Sequence, residues 1–326
     1  MSVVPPSPGR VLIVKPGSLG DIVHALPAVA WLKATWPDVE ISWLVDSRWR
    51  SLLENYPGID RLVEFPRTRF RGPAGWCGFV AWLRGLRDLQ PGLAIDLQGL
   101  LRSAIMGKAA APGRLLGGSD AREGAGWFYQ TVAEVDRQAH AVERYRKIVA
   151  AAGVNTRTEP EIDFPATALP DGFDPSEPFL LLHPFSRGKG KSLASGQVTE
   201  LVRLLTPIRV VLVGQLPSEM TPPVGGENWF NRTTLPELLA LCRAAACVIS
   251  VDSGPAHLAA AVSERLLALH TWTDPARVGP WGGMAEVWRG GQICRCQPGA
   301  TYAEGRMVQD SDLPTLVNWV RPKMKG

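Results

Sequence analysis

The sequence predicts an α/β protein built from two doubly wound parallel-sheet domains. Three observations carry this reading. The chain has 326 residues, which is room for two domains at roughly 150 residues each. In both halves, short runs rich in leucine and β-branched residues alternate with helical patterns, as parallel sheets covered on both faces require. Between the halves, a Pro-, Asp- and Glu-rich stretch at 158–178 keeps neither a helical nor a strand period and reads as a linker. The expected division is an amino-terminal domain at 1–160, a linker at 161–178 and a carboxy-terminal domain at 179–326.

In chain order, the first half offers strands at VLIV (11–14), ISWLV (41–45), RLVEF (61–65) and LAIDL (93–97). Val23, Leu26 and Ala30 keep near-helical spacing after the first of these, but Pro27 removes an N–H and should break or kink that helix. Leu52 and Leu53 follow the second strand, 79–89 the third and 100–110 the fourth as helical segments. The second half repeats the scheme with FLLLH (179–183), RVVLVG (209–214), CVISV (247–251) and LLALH (266–270), and with a helical pattern at 235–245. A second parallel sheet is expected, with ligands held in a cleft at the carboxyl ends of both sheets and closure about the linker bringing the two halves together.

Composition narrows the function classes. With 45% hydrophobic and 20% charged residues, the chain is core-forming rather than disordered. No apolar run reaches the roughly 18 residues of a membrane span, and the start lacks a secretory pattern, so a cytoplasmic location is expected. Five cysteines (Cys77, Cys242, Cys247, Cys294, Cys296) are too few and too scattered for a disulfide framework or a zinc site. The net charge is +4, with 20 Lys+Arg against 15 Asp+Glu in residues 1–160. Arg67, Arg69, Arg71, Arg84 and Arg87 follow one another without an intervening acid and with Phe65, Phe70, Trp76, Phe79 and Trp82 interleaved. Such a stretch suits an anionic partner, or else a solvated face over buried aromatics. No nucleic-acid motif accompanies it.

Two motifs could carry chemistry. Lys15-Pro16-Gly17-Ser18-Leu19-Gly20-Asp21 directly follows the first strand, where glycine lets backbone approach a ligand. It supplies neither GxGxxG nor a P-loop. Asp21 then either caps the helix with Ser18 or serves as a general base, with His24 one turn on to adjust it. In the second half, CVISV runs into Asp252-Ser253-Gly254-Pro255-Ala256-His257. Helix-opening amides there can bind a pyrophosphate, to which His257 adds a donor; the plainer alternative is a capped helix with a buried histidine. The loop His183-Pro184-Phe185-Ser186-Arg187-Gly188-Lys189-Gly190-Lys191 carries lysines that could neutralise phosphate or simply face water. A GxSxG elbow is absent, and the five histidines are too dispersed for a metal site.

Taken together, RVLIVKPGSLGDIVHALPA (10–28), IDLQGLLRSA (95–104), HAVERYRKI (140–148) and SVDSGPAHLAAA (250–261) resemble the ADP-heptose:lipopolysaccharide heptosyltransferases, the middle two segments favouring the type I branch. The resemblance implies a GT-B fold of two Rossmann-like domains and a metal-independent, cofactor-free, inverting transfer of heptose. The donor would be ADP-heptose, and the acceptor a Kdo sugar of a lipid A precursor at the cytoplasmic face of the inner membrane, touched peripherally. By position, Asp21 matches the catalytic base, and Asp252, Ser253, Gly254 and His257 match the donor motif. Ser186 and Lys191 fall at diphosphate contacts, with Lys189 competing for the lysine role, and Glu219 falls near a ribose-binding carboxylate. Arg102, His140 and Arg144, with Arg67, Arg69 and Arg71, become candidates for contacts to acceptor carboxylates or phosphates. Leu193 stands where the family usually has tryptophan. Rival readings are a glycosyltransferase of another nucleotide sugar, a nicotinamide-dependent oxidoreductase using Asp46 at the end of the second strand, and a non-catalytic sugar-nucleotide-binding module.

Overall fold

The computed structural model describes residues 5–72, 74–188, 190–216, 219–282 and 284–325. The chain divides into two compact units, Met1–Pro165 and Ala166–Gly326, each with its own sheet and core.

The first unit holds β1 (Arg10–Val14), β2 (Glu40–Asp46), β3 (Arg61–Phe65), β4 (Leu93–Asp96), β5 (Arg114–Gly118) and β6 (Thr131–Ala133). All pair in parallel, in the order β3-β2-β1-β4-β5-β6. Its helices are α1 (Leu19–Ala25), α2 (Pro27–Thr35), α3 (Arg50–Leu53), α4 (Ala74–Gly85), α5 (Leu101–Ala109) and α6 (Ala141–Ala150). Strand β1 is apolar on consecutive residues because both sheet faces are covered, and Val11 to Val14 are all buried. Pro27 does break the first helical pattern: α1 stops at Ala25 and the proline opens α2 at its first position, where a missing N–H costs nothing.

The second unit holds β7 (Phe179–His183), β8 (Arg209–Leu212), β9 (Glu227–Asn228), β10 (Cys247–Val251), β11 (Leu266–Leu269), β12 (Glu286–Arg289) and β13 (Gln292–Arg295). Its helices are α7 (Ser195–Leu205), α8 (Leu235–Ala244), α9 (Gly254–Val262), α10 (Pro275–Val278) and α11 (Leu313–Val320). The order is β13-β12-β11-β10-β7-β8-β9. Six strands are parallel; β13 runs antiparallel to β12 at the edge, which the expectation of an all-parallel second sheet did not include. The hairpin turn is Gly290-Gly291, both at positive φ, a conformation glycine adopts without penalty.

The two sheets thus share one winding. Each starts at its third position, builds outward on one side, then crosses to build the other side. In the first unit the direction reverses between β1 and β4, and in the second between β7 and β10. At such a switch point the loops leaving the strands splay to opposite faces and open a crevice at their carboxyl ends.

Candidate functional site

Each sequence motif singled out above leaves a strand at one of these switch points. In the first unit, residues 15–18 leave β1. The Gly17 N–H donates to Gln98 Oε1 (3.3 Å) and the Trp43 indole donates to the Lys15 carbonyl (3.1 Å), tying the loop to its neighbours after β4 and on β2. Asp21 sits half-buried in the first turn of α1. Its Oδ2 accepts from both the N–H and the hydroxyl of Ser18, each at 2.9 Å. The capping arrangement therefore exists, and it fixes the carboxylate at the end of β1.

His24 and His140 are both buried, their rings edge to face with centroids 5.0 Å apart. His140 caps α6, its Nδ1 accepting the Val142 N–H at 3.2 Å. Arg144 pairs with Asp120 at 2.5 Å. These two acceptor candidates are thus engaged within the first unit. Arg67, Arg69 and Arg71, by contrast, lie exposed on a turn after β3 and form no ion pair among the described residues. Arg102 opens α5 with its guanidinium over the Phe65 ring, 5.6 Å from the centroid; lost hydration and the like charge of Arg67 lower its pKa. Of the interleaved aromatics, Phe65, Phe70, Phe79 and Trp82 pack on one another, while Trp76 is 66% exposed. Asp46 is held by Arg48 through two charged hydrogen bonds (3.0 and 2.8 Å) and caps its N–H.

The second unit gathers its candidates more tightly. Asp252, buried behind β10, accepts from Lys191 Nζ at 2.5 Å. Lys191 also stands over the Trp272 ring, 4.9 Å from its centroid. Ser253 is the N-cap of α9, but its hydroxyl donates to the Val251 carbonyl (3.0 Å) and accepts no helix N–H. Pro255 has no N–H, and the Ala256 N–H is taken by the Ser253 carbonyl at 3.0 Å. Of the amides that open this helix, those of Ser253 and Gly254 are the candidate donors to an anion. His257 lies buried in the first turn.

Ser186 turns the neighbouring loop: its N–H donates to Ser192 Oγ (2.9 Å), its own Oγ accepts the Gly188 N–H (3.2 Å), and Leu193 closes the loop through the Pro184 carbonyl (3.0 Å). Leu193 is buried beneath it. Lys189 lies outside the described residues. Glu219 is exposed on the loop beyond β8.

Sequence reasoning missed a buried relay behind Asp252. Thr273 Oγ1 donates to Asp252 Oδ2 (2.5 Å), so His270 Nδ1, 3.1 Å from Thr273 Oγ1, is the donor in that contact. Burial pushes His270 down to about 4, so it stays neutral. The Arg289 guanidinium grips the Thr273 carbonyl and donates to that of Ala303 (2.8 Å). His183 is likewise pushed down to about 4 by burial and sits 3.3 and 3.4 Å from the Ser250 and Ser253 hydroxyls. Thr273 and His270 are three residues apart, but the Asp252 and Arg289 that Thr273 meets belong to distant segments, which no local motif records. Among the described residues no group of three or more His, Cys, Asp or Glu side chains is arranged to hold a metal ion, and no helix is long and apolar enough to cross a membrane.

Residues 80–303 match glycosyltransferase family 9 (heptosyltransferase). The chain is 29% identical over 296 residues to lipopolysaccharide heptosyltransferase 1 of Salmonella typhimurium, covering 84% of this chain and 92% of that one. It is 28% identical to the Escherichia coli K12 protein of the same name, covering 84% and 91%. Among solved structures, E. coli heptosyltransferase WaaC with ADP superimposes with a TM-score of 0.73 at 23% identity over 97% of this chain and 99% of that one. E. coli ADP-heptose lps heptosyltransferase II gives 0.73 at 19% identity over 97% and 98%. The fold is that of the GT-B heptosyltransferases.

Proposed function

The chain belongs to glycosyltransferase family 9, the heptosyltransferases, and from that premise we propose that it transfers a heptose from ADP-heptose to a Kdo sugar of the lipopolysaccharide inner core, with inversion and with Asp21 as general base. The observation that carries the reading is the family match, which spans parts of both units. The relatives named lipopolysaccharide heptosyltransferase 1 support the acceptor class, and a neighbour solved with ADP-2-deoxy-2-fluoro heptose supports the donor class.

Asp21 takes the proton of the acceptor hydroxyl as its oxygen attacks the anomeric carbon from the face opposite the nucleotide. The C–O bond to ADP breaks in the same displacement, through a transition state with oxocarbenium character. Charge grows on the departing diphosphate, which the Ser253 and Gly254 amides, Lys191 and Ser186 would stabilise more strongly than the bound donor. Asp252 and His257 hold the rim of that site, and Glu219 takes the ribose. The acceptor's carboxylates and phosphates would meet Arg67, Arg69, Arg71 and Arg102, whose exposed guanidinium groups suit bidentate recognition of such anions. Exposed Trp76 beside these arginines supports peripheral contact with an anionic membrane surface. Vesicle binding that survives high salt unchanged would reject this electrostatic attachment.

Asp21→Ala is expected to lose about 100-fold or more in turnover, with ADP-heptose affinity nearly unchanged, as loss of a general base requires. The measurement is ADP release with purified acceptor, alongside calorimetric titration of the donor. Near-normal turnover rejects the base assignment, and preferential binding of a UDP-sugar rejects the donor.

A further inference from the structure

Lys191 is held from two directions within the second unit. One partner is the Asp252 carboxylate, 2.5 Å from Nζ. The other is the indole of Trp272, whose ring centroid lies 4.9 Å from the same ammonium. Trp272 lies in the loop after β11 and belongs to none of the motifs read from the sequence. Its ring is 60% exposed, so filling the core does not account for it. The ring also lies along the lysine's own loop: a Cβ built on Gly190 would stand 3.9 Å from Trp272 Cδ1. The segment that carries the ring is pinned on both sides of it. The His270 N–H donates to the Trp288 carbonyl at 2.9 Å; Thr273 donates through Oγ1 to Asp252 Oδ2 at 2.5 Å, and Arg289 grips the Thr273 carbonyl. One short segment thus supplies a hydrogen bond to the carboxylate that pairs with Lys191 and the aromatic face that the ammonium stands over.

We propose that Trp272 is a positioning residue for the donor's diphosphate, its ring face holding the Lys191 ammonium at the edge of the site; this rests on the reading of Lys191 as a diphosphate contact.

A lysine ammonium carries three N–H donors on a flexible four-carbon stem. Asp252 takes one of them, and an ion pair alone leaves the stem free to swing about the carboxylate. An aromatic face attracts the cation through its quadrupole and offers it no lone pair, so it steadies the head from a second direction without acting as a conventional acceptor. The Lys191 side chain keeps 19% of its surface open, which leaves the ammonium within reach of a phosphate oxygen. An ammonium already held there loses less freedom when the anion arrives, and binding is tighter for it. The gain belongs to the diphosphate and not to the nucleoside.

The test is titration calorimetry of the whole protein with ADP, together with adenosine measured by displacement of ADP. Trp272→Leu should weaken ADP about five- to tenfold, and Trp272→Phe, which keeps an aromatic face, should stay within about twofold of the unsubstituted protein. Trp272→Gln is the second non-aromatic variant should the leucine disturb folding. Adenosine affinity should not change, and a loss equal to that of ADP overturns the proposal by placing the ring against the nucleoside. A phenylalanine variant as weak as the leucine one overturns it as well, since the aromatic face would then be irrelevant. In a Lys191→Met background the leucine substitution should cost almost nothing further, because the cation it acts through is gone. A full Trp272 loss that persists there rejects the positioning alone. Unchanged ADP affinity in Lys191→Met itself rejects the diphosphate reading, and the positioning with it.

Discussion

Asp252 and Lys191 form a pair whose worth differs from the sum of its members. Burial works to raise the Asp252 pKa, but the Lys191 ammonium and the hydrogen bond from the Thr273 hydroxyl hold the carboxyl below its usual range. The anion therefore persists beside the site proposed for a diphosphate, and Lys191 neutralises it there. Removing the lysine does two things: it deletes the proposed phosphate contact, and it leaves a buried carboxylate to repel the phosphate. Lys191→Met should lose about 100-fold in ADP affinity by titration calorimetry, and the double variant Lys191→Met/Asp252→Asn should regain about tenfold of that loss. Strictly additive effects would reject the coupling. The sequence announced Lys191 and Asp252 as candidates separately, 61 positions apart; that they meet is a property of the switch point between β7 and β10.

At the scale of elements, what was legible follows from burial. Strands covered on both faces read as apolar runs, which is why β1, β2, β4, β7, β10 and β11 stood out. Strand β5 did not, because its last two residues are Gly117 and Gly118; β9 has two residues and β6 three, too few to show a period. The glycine in β5 has a reason only the folded structure supplies. A Cβ at Gly117 would lie 2.2 Å from Tyr129 Cε2, and Tyr129 donates to Asp96 Oδ2 at 2.7 Å. Asp96 in turn accepts the Gln98 and Gly99 N–H groups and the Ser103 hydroxyl, so it shapes the loop from which Gln98 holds Gly17. Burial raises the Asp96 pKa against these hydrogen bonds, which leaves it sensitive to losing any of them. Gly117→Ala should cost about 1–3 kcal/mol in urea denaturation through overpacking. It should also lower activity more than a same-sized loss elsewhere in the unit. No measurable loss would mean that Tyr129 can shift without consequence for Asp96.

For the molecule as a whole, two units with separate cores need not share one stability or one response to acid. Of the three buried histidines in the second unit, His183 and His270 are each pushed down to about 4, against an unfolded value near 6.5. Between those values the unfolded chain binds protons that the folded unit refuses, so stability falls as pH drops. The slope approaches about 1.4 kcal/mol per pH unit for each histidine, and above pH 6.5 neither contributes. The loss is complete once pH passes below the folded values. Because His270 stands behind Thr273 and Asp252, and His183 beside Ser253, the groups that refuse the proton are those that line the proposed diphosphate site, so acid opposes folding there first. Urea unfolding followed by hydrogen exchange reads each unit by its own peptides. Peptides from 166–326 should show a lower urea midpoint at pH 5 than at pH 7. Replacing both histidines by glutamine should flatten that dependence in whatever stability remains, and a midpoint in the unsubstituted protein that does not move over this range would show that the two rings take up protons within the fold.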